Sequence, residues 1–249
     1  MIIIKNDKEI DLMRIAGRIV AETLLLVEKE VRPGITTAEL DRIAEEFITK
    51  HGATPSFKGL YGFPASLCIS VNEQVVHGIP GGYVLKEGDI ISVDCGANIN
   101  GFHGDAARTF AVGNISEEAK RLIKVTEESF FKGLEFAKVG NKLTDISHEI
   151  QRYVEASGFS VVREFVGHGI GKSVHEDPEV PNFGRPGRGP KLVAGMALAI
   201  EPMVNMGTYR VATLGDDWTV VSADKSLSAH YENTVVILPD GPEILTLIK

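Results

Sequence analysis

A unit of two amphipathic helices followed by an acidic strand occurs twice in this chain at a nearly constant offset. Residues 8 to 31 place Ile10, Ile15, Ile19, Leu24, Val27 and Val31 at mostly three- and four-residue intervals. That spacing is the stripe of a core-facing helix, and Arg32-Pro33-Gly34 stops it. Thr36-Thr37-Ala38-Glu39 has the form of a capping box, with a hydroxyl and a glutamate three residues apart to satisfy the first free amides. The helix it opens buries Leu40, Ile43, Ala44, Phe47 and Ile48 and ends at Gly52. In the second half, Ser116 precedes two glutamates and a helical stretch running to Val139-Gly140, and a further helix carries Ile146, Ile150, Tyr153 and Val154 to Gly158. Gly34 and Gly140 lie 106 residues apart, as do Gly52 and Gly158, and Leu40, Ala44, Phe47 and Ile48 fall on the four apolar residues of the later helix. At a shift of 107, Leu85, Gly88 and Asp94 of LKEGDIISVD match Leu192, Gly195 and Glu201 of LVAGMALAIE. The repeat predicts an α+β fold of two halves, about 1–113 and 114–249, related by a pseudo-twofold axis. Each half packs helices on an antiparallel sheet, the whole forming a single domain over 1–249 with its site between the halves.

Each half also ends in a second acidic strand, where His103-Gly104-Asp105 resembles His230-Tyr231-Glu232, so four carboxylates stand in register. Around Asn98-Ile99-Asn100-Gly101 the sequence signals a hairpin, because the Asn-Gly pair accepts the positive φ of a tight turn. With Asn100 and Gly101 as the turn pair, Asp105 faces Gly96, and Asp94, two residues along, shares its face. Like charges held this close resist joint ionisation, so something positive must compensate. Arg108 is one candidate partner, and a surface-facing strand position is a second bland reading for Asp94. Neither suits Glu201, which lies inside the apolar run Met196 to Val204. In FVGHGIGKSVHEDPEVPNF, residues 165 to 183, His168 stands between glycines, as a ligand brought to an ion by a sharp loop does. Two divalent cations balance four carboxylates, and a neutral imidazole leaves that balance unchanged. The oxygen-rich set suits Mn, Fe, Co or Zn. No local rule fixes His168 or the interval from Glu201 to Glu232.

A net charge of −8 argues against a nucleic-acid partner, which calls for a basic surface. Met1 to Asp7 falls far short of a signal-peptide core, and no run reaches the ~18 apolar residues of a membrane helix. Cys68 and Cys95 alone make neither a disulfide framework nor a zinc ribbon. A cytoplasmic location without a membrane partner is expected.

The chain resembles the bacterial, type I methionine aminopeptidases, which have the pita-bread fold. Five ordered motifs carry the likeness: VVHGIP (75–80), VDCGANINGFHGDAARTF (93–110), GHGIGKSVHEDP (167–178), AIEP (199–202) and HYENTVVI (230–237). The resemblance implies that Asp94, Asp105, His168, Glu201 and Glu232 ligate two divalent ions, with Asp105 and Glu232 bridging both. It implies substrate contacts for His77 and His175, and a methionine pocket lined by Phe63, Cys68 and Trp218. Leu60 and Phe63 depart from the family pattern, which has tyrosines there; the more apolar pocket still suits a thioether. Only 33 residues separate His168 from Glu201, and neither the inserted subdomain of type II enzymes nor a zinc-binding N-terminal extension is expected.

The implied reaction is hydrolysis of the first peptide bond of nascent polypeptides with a free N-terminal methionine and a small second residue. The implied enzyme is a monomer acting in the cytoplasm, with the ribosome as a candidate place of action. Glu201 would take the proton from water, His175 would stabilise the oxyanion and His77 would orient the amide. Two other readings use the same fold: an aminopeptidase P or prolidase cleaving before proline, and a binding module that has lost its metals.

Overall fold

The computed structural model describes residues 1–248, and among these four α-helices occur: α1 (Asp7–Glu30), α2 (Thr37–Lys50), α3 (Glu117–Leu134) and α4 (Leu143–Ala156). The first begins at a capping box that apolar spacing alone does not reveal. Asn6 accepts from the Glu9 amide at 3.1 Å and the Glu9 carboxylate accepts from the Asn6 amide at 3.1 Å. Its buried stripe runs through Ile10, Met13, Ala16, Val20, Leu24 and Val27. Ile15 is not part of it and is 45% exposed; at ~100° per residue, five residues from Ile10 put it about 140° off the stripe. At α2, Thr36 accepts from the Glu39 amide at 3.1 Å, while the Glu39 carboxylate turns to Arg42 at 2.7 and 2.9 Å.

The first helix of the second half stops at Leu134, short of the expected Val139-Gly140. Tight turns follow, with the Phe136 amide donating to Gly133 and the Ala137 amide to Leu134. They tuck Phe136 and Ala137 against the second core, together with Phe130, Ile146, Ile150 and Leu198. Burial of those two side chains is what the helix gives up its last turn for.

Among the described residues all strand pairings are antiparallel. The first sheet joins Leu67–Val71, Ile90–Ile99 and Phe102–Ala111, with Thr54–Pro55 on its edge. Asn100 and Gly101 form the turn at φ 55° and 79°, and the register pairs Gly96 with Asp105 and Asp94 with Ala107. The second sheet runs in the order Gly241–Ile244, Asn233–Leu238, Ala197–Ile200, Gly167–Gly169, Glu176–Val180. The first helix pair packs on the first sheet through Leu24, Leu40, Ile48 and Val93, and the second pair packs on the second sheet through Phe130, Ile146, Ile150 and Val235. The repeat read from the sequence is therefore a repeat of helix pair and sheet.

A short antiparallel seam joins the halves. Ala107 and Glu232 exchange backbone hydrogen bonds at 3.0 and 3.3 Å. Beside them the Thr234 hydroxyl accepts from the Asp105 amide and donates to the Asp105 carbonyl, both at 2.9 Å. The Thr109 hydroxyl does the same for His230, again at 2.9 Å. The seam fixes Asp105 and Glu232 side by side. Among the described residues no helix is long and apolar enough to cross a membrane.

Candidate metal centre

Asp94 and Asp105 reach the centre from the hairpin, and Glu201 follows the Ala197–Ile200 strand. Glu232 lies on the seam and His168 in the Gly167–Gly169 strand. The glycines flanking His168 are there for close approach. A Cβ on Gly167 would lie 2.3 Å from the Ala199 carbonyl oxygen, and one on Gly169 would lie 2.1 Å from that of Asp177. His168 Nδ1 is 2.9 Å from the Gly169 carbonyl oxygen, so Nδ1 carries the proton. Its Nε2 lone pair then faces the carboxylates, 3.5 Å from Glu201 Oε1 and 3.9 Å from Asp105 Oδ2.

The electrostatics of the cluster are those of a site built for cations. Burial pushes Asp94 up to about 7. It holds Asp105, Glu201 and Glu232 well above the usual carboxylate range, and the neighbouring carboxylates add to the rise. Asp94 Oδ1, Asp105 Oδ1 and Glu232 Oε1 are buried without a hydrogen-bond partner, each an expensive omission unless a ligand satisfies it. Arg108, the partner considered from sequence, does not neutralise them. It turns to the carbonyls of Ala107 (2.8 Å) and Glu232 (2.5 Å) and to Asn233 Oδ1 (2.7 Å), and stacks on Tyr231. Its strand position points it away from the carboxylate face. Hard oxygens with borderline imidazole nitrogen fit divalent first-row metals.

A cavity of about 680 Å³ opens over the cluster, within the size range of ligand sites. Its apolar wall includes Phe63, Cys68 and Trp218, with Phe63 edge-on to Trp218 at 5.1 Å, and Leu60 lines it as well. Cys68 reaches this wall because its strand pairs it with Asp94. His77 and His175 line the same cavity. His77, held at φ 59°, packs edge-on to Phe165 at 5.5 Å, and burial lowers its pKa to about 4. His175 stands at the mouth, edge-on to His168 at 4.5 Å, its pKa lowered by desolvation.

Three residues here were missed in the sequence. Tyr61, at φ 51°, lies parallel to the His175 ring at 6.1 Å. Lys5 forms a buried ion pair with Glu176 at 2.5 Å, side chains 2% and 6% exposed. Glu176 also accepts from the Lys172 amide at 2.8 Å, so the pair anchors the loop that bears His175. His230 is buried with Nε2 3.7 Å from Glu201 and 3.9 Å from Glu232. The pairing of His103-Gly104-Asp105 with His230-Tyr231-Glu232 was its only sequence signal.

A profile of metallopeptidase family M24 matches residues 11–239. A methionine aminopeptidase of Clostridium perfringens is 79% identical over 249 residues, covering 100% of each chain. A crystal structure of methionine aminopeptidase from Thermotoga maritima superposes with a TM-score of 0.98 at 47% identity, covering 100% of each chain. A Pyrococcus furiosus prolidase shares the fold alone, with a TM-score of 0.82 at 23% identity over 99% of this chain and 66% of its own.

Proposed function

The chain belongs to metallopeptidase family M24, and from that premise we propose how its site works. The protein is a metal-dependent hydrolase with the pita-bread fold that removes the N-terminal methionine of polypeptides. The observation that carries the mechanism is the convergence of four carboxylates and an imidazole on the floor of an apolar-walled cavity.

Asp94, Asp105, His168, Glu201 and Glu232 would hold two divalent ions, drawn from Co, Mn, Fe or Zn. When bound, such ions supply the Lewis acidity that makes water nucleophilic near neutral pH. Phe63, Cys68 and Trp218 receive the methionine side chain by dispersion and sulfur–aromatic contact. Glu201 accepts the proton that the attacking water loses, as a carboxylate set in the floor of the cavity beside His168 at 3.5 Å. His77 and His175, neutral at pH 7, each keep an N–H to donate: His175 to the carbonyl oxygen as it gains charge, His77 to orient the scissile amide. Crowding between those rings selects a small second residue. The whole chain acts as one catalytic domain, a cytoplasmic monomer working on nascent polypeptides that carry a free α-amine as they leave the ribosome.

Metal-stripped protein reconstituted with one metal at a time, assayed on Met-Ala, Met-Leu and Xaa-Pro peptides, tests this reading. Restored cleavage of Met-Ala far above the other two is expected. Full activity without metal, or equal cleavage of Met-Leu, would overturn the ion set or the crowding respectively.

A further inference from the structure

The ligand set above contains one imidazole, yet a second one points into the cluster. His230 is 2% exposed, and its Nε2 is buried without a hydrogen-bond partner. It sits 3.7 Å from Glu201 Oε2 and 3.9 Å from Glu232 Oε2, both beyond an N–H···O bond. Two atoms each 2.0–2.2 Å from one ion lie about 3.0–3.6 Å apart at ligand angles of roughly 90–120°. The His230 separations are therefore a few tenths of an ångström longer than the edges a bound ion would require. His168 stands to its own carboxylates in the same way, at 3.5 and 3.9 Å. One donor atom each from Asp105, His168 and Glu232 lies within 4.8 Å of the others, and the same holds for Glu201, His230 and Glu232. The two groups share Glu232 and use different histidines.

We infer that His230 is a metal ligand, so that each of the two ions has an imidazole of its own. This rests on the two-ion reading and adds a sixth side chain to it. The seam explains how a histidine comes to be held there. Thr109 satisfies both the amide and the carbonyl of His230 at 2.9 Å, which fixes its backbone beside that of Glu232. A second nitrogen donor shifts the preference of the centre from hard cations such as Mg toward Zn, Co and Fe.

Protein labelled with ¹⁵N-histidine and loaded with Zn(II) provides the direct test. Two ring nitrogens are expected to move to metal-bound shifts on addition of two equivalents, assigned by their loss in His168→Gln and His230→Gln. Calorimetric Zn(II) titration of His230→Gln is expected to show one of two binding events weakened at least tenfold, the scale on which even residues behind the ligands act. If only His168 shifts in the wild-type protein, or if His230→Gln binds both ions with unchanged affinity, the inference is wrong. If the wild-type protein takes up a single ion or none, it is the two-ion reading that fails, and the inference with it. The count of shifted nitrogens comes from natively folded wild-type protein, so the test stands even where a variant misfolds.

Discussion

Glu201 is asked to do two things, and its surroundings permit both. Its side chain is 12% exposed, its Oε1 faces His168 at 3.5 Å and its Oε2 faces His230 at 3.7 Å. Replacing it with glutamine keeps the shape and one oxygen donor but removes the proton acceptor. Glu201→Gln is expected to lose turnover on Met-Ala peptides by on the order of 10²–10⁴-fold, the range of a lost general base. Circular dichroism should stay unchanged. Metal content measured on the same sample separates the two roles: near wild-type turnover with metal bound would show that another group takes the proton. In the mechanism proposed above, His77 and His175 act as neutral donors, because desolvation depresses both imidazoles and leaves their N–H groups intact.

At the scale of elements, the loop bearing His175 owes its position to a cation from outside it, which pairs with Glu176. Lys5 is 5% exposed, and its own amide donates to Gly195 at 2.8 Å. Lys5→Met leaves Glu176 buried without its cation, an omission worth about 3–5 kcal/mol in comparable pairs. Denaturant unfolding should report a loss of that size, and the double variant Lys5→Met/Glu176→Gln should recover part of it. A single variant as stable as the wild type would mean that the pair contributes nothing. Local signals made other elements legible in advance. The Asn100-Gly101 turn fixed the hairpin register, and with it the placing of Asp94 beside Asp105, because two positive-φ positions leave few alternatives. The glycines around His168 signalled a close approach. What stayed hidden depended on partners far away in the chain. Lys5 meets Glu176 across 171 residues, and Arg108 could be turned from the carboxylates only by the seam carbonyls. The final turn of α3 was lost to a core that its own periodicity does not describe, and the roles of His77 and His175 came from family likeness.

The molecule as a whole concentrates four acids where water is scarce, and its stability without metal should show this. Each carboxyl has a folded-state pKa above its unfolded value, so the folded state holds protons that the unfolded state releases. Stability from these groups is fully present below the ordinary carboxylate range and is lost as pH rises, Asp94 completing its loss near 7. Melting temperatures of metal-free protein are therefore expected to fall from about pH 4.5 toward 7.5, against the usual trend for acid-labile proteins. Saturating divalent metal should reverse the fall, since an ion that binds only the folded form adds about 2.7 kcal/mol at a hundredfold excess over its Kd. A flat or rising profile without metal would show that the cluster relaxes or hydrates. The seam between the halves has a further consequence, in time rather than in energy. Its threonine bridges join residues 129 and 121 apart in sequence, so the chain must close long loops before Asp105 and Glu232 meet. Metal capture by a refolding chain then waits on docking of the halves, and its rate reaches a ceiling that more metal does not raise.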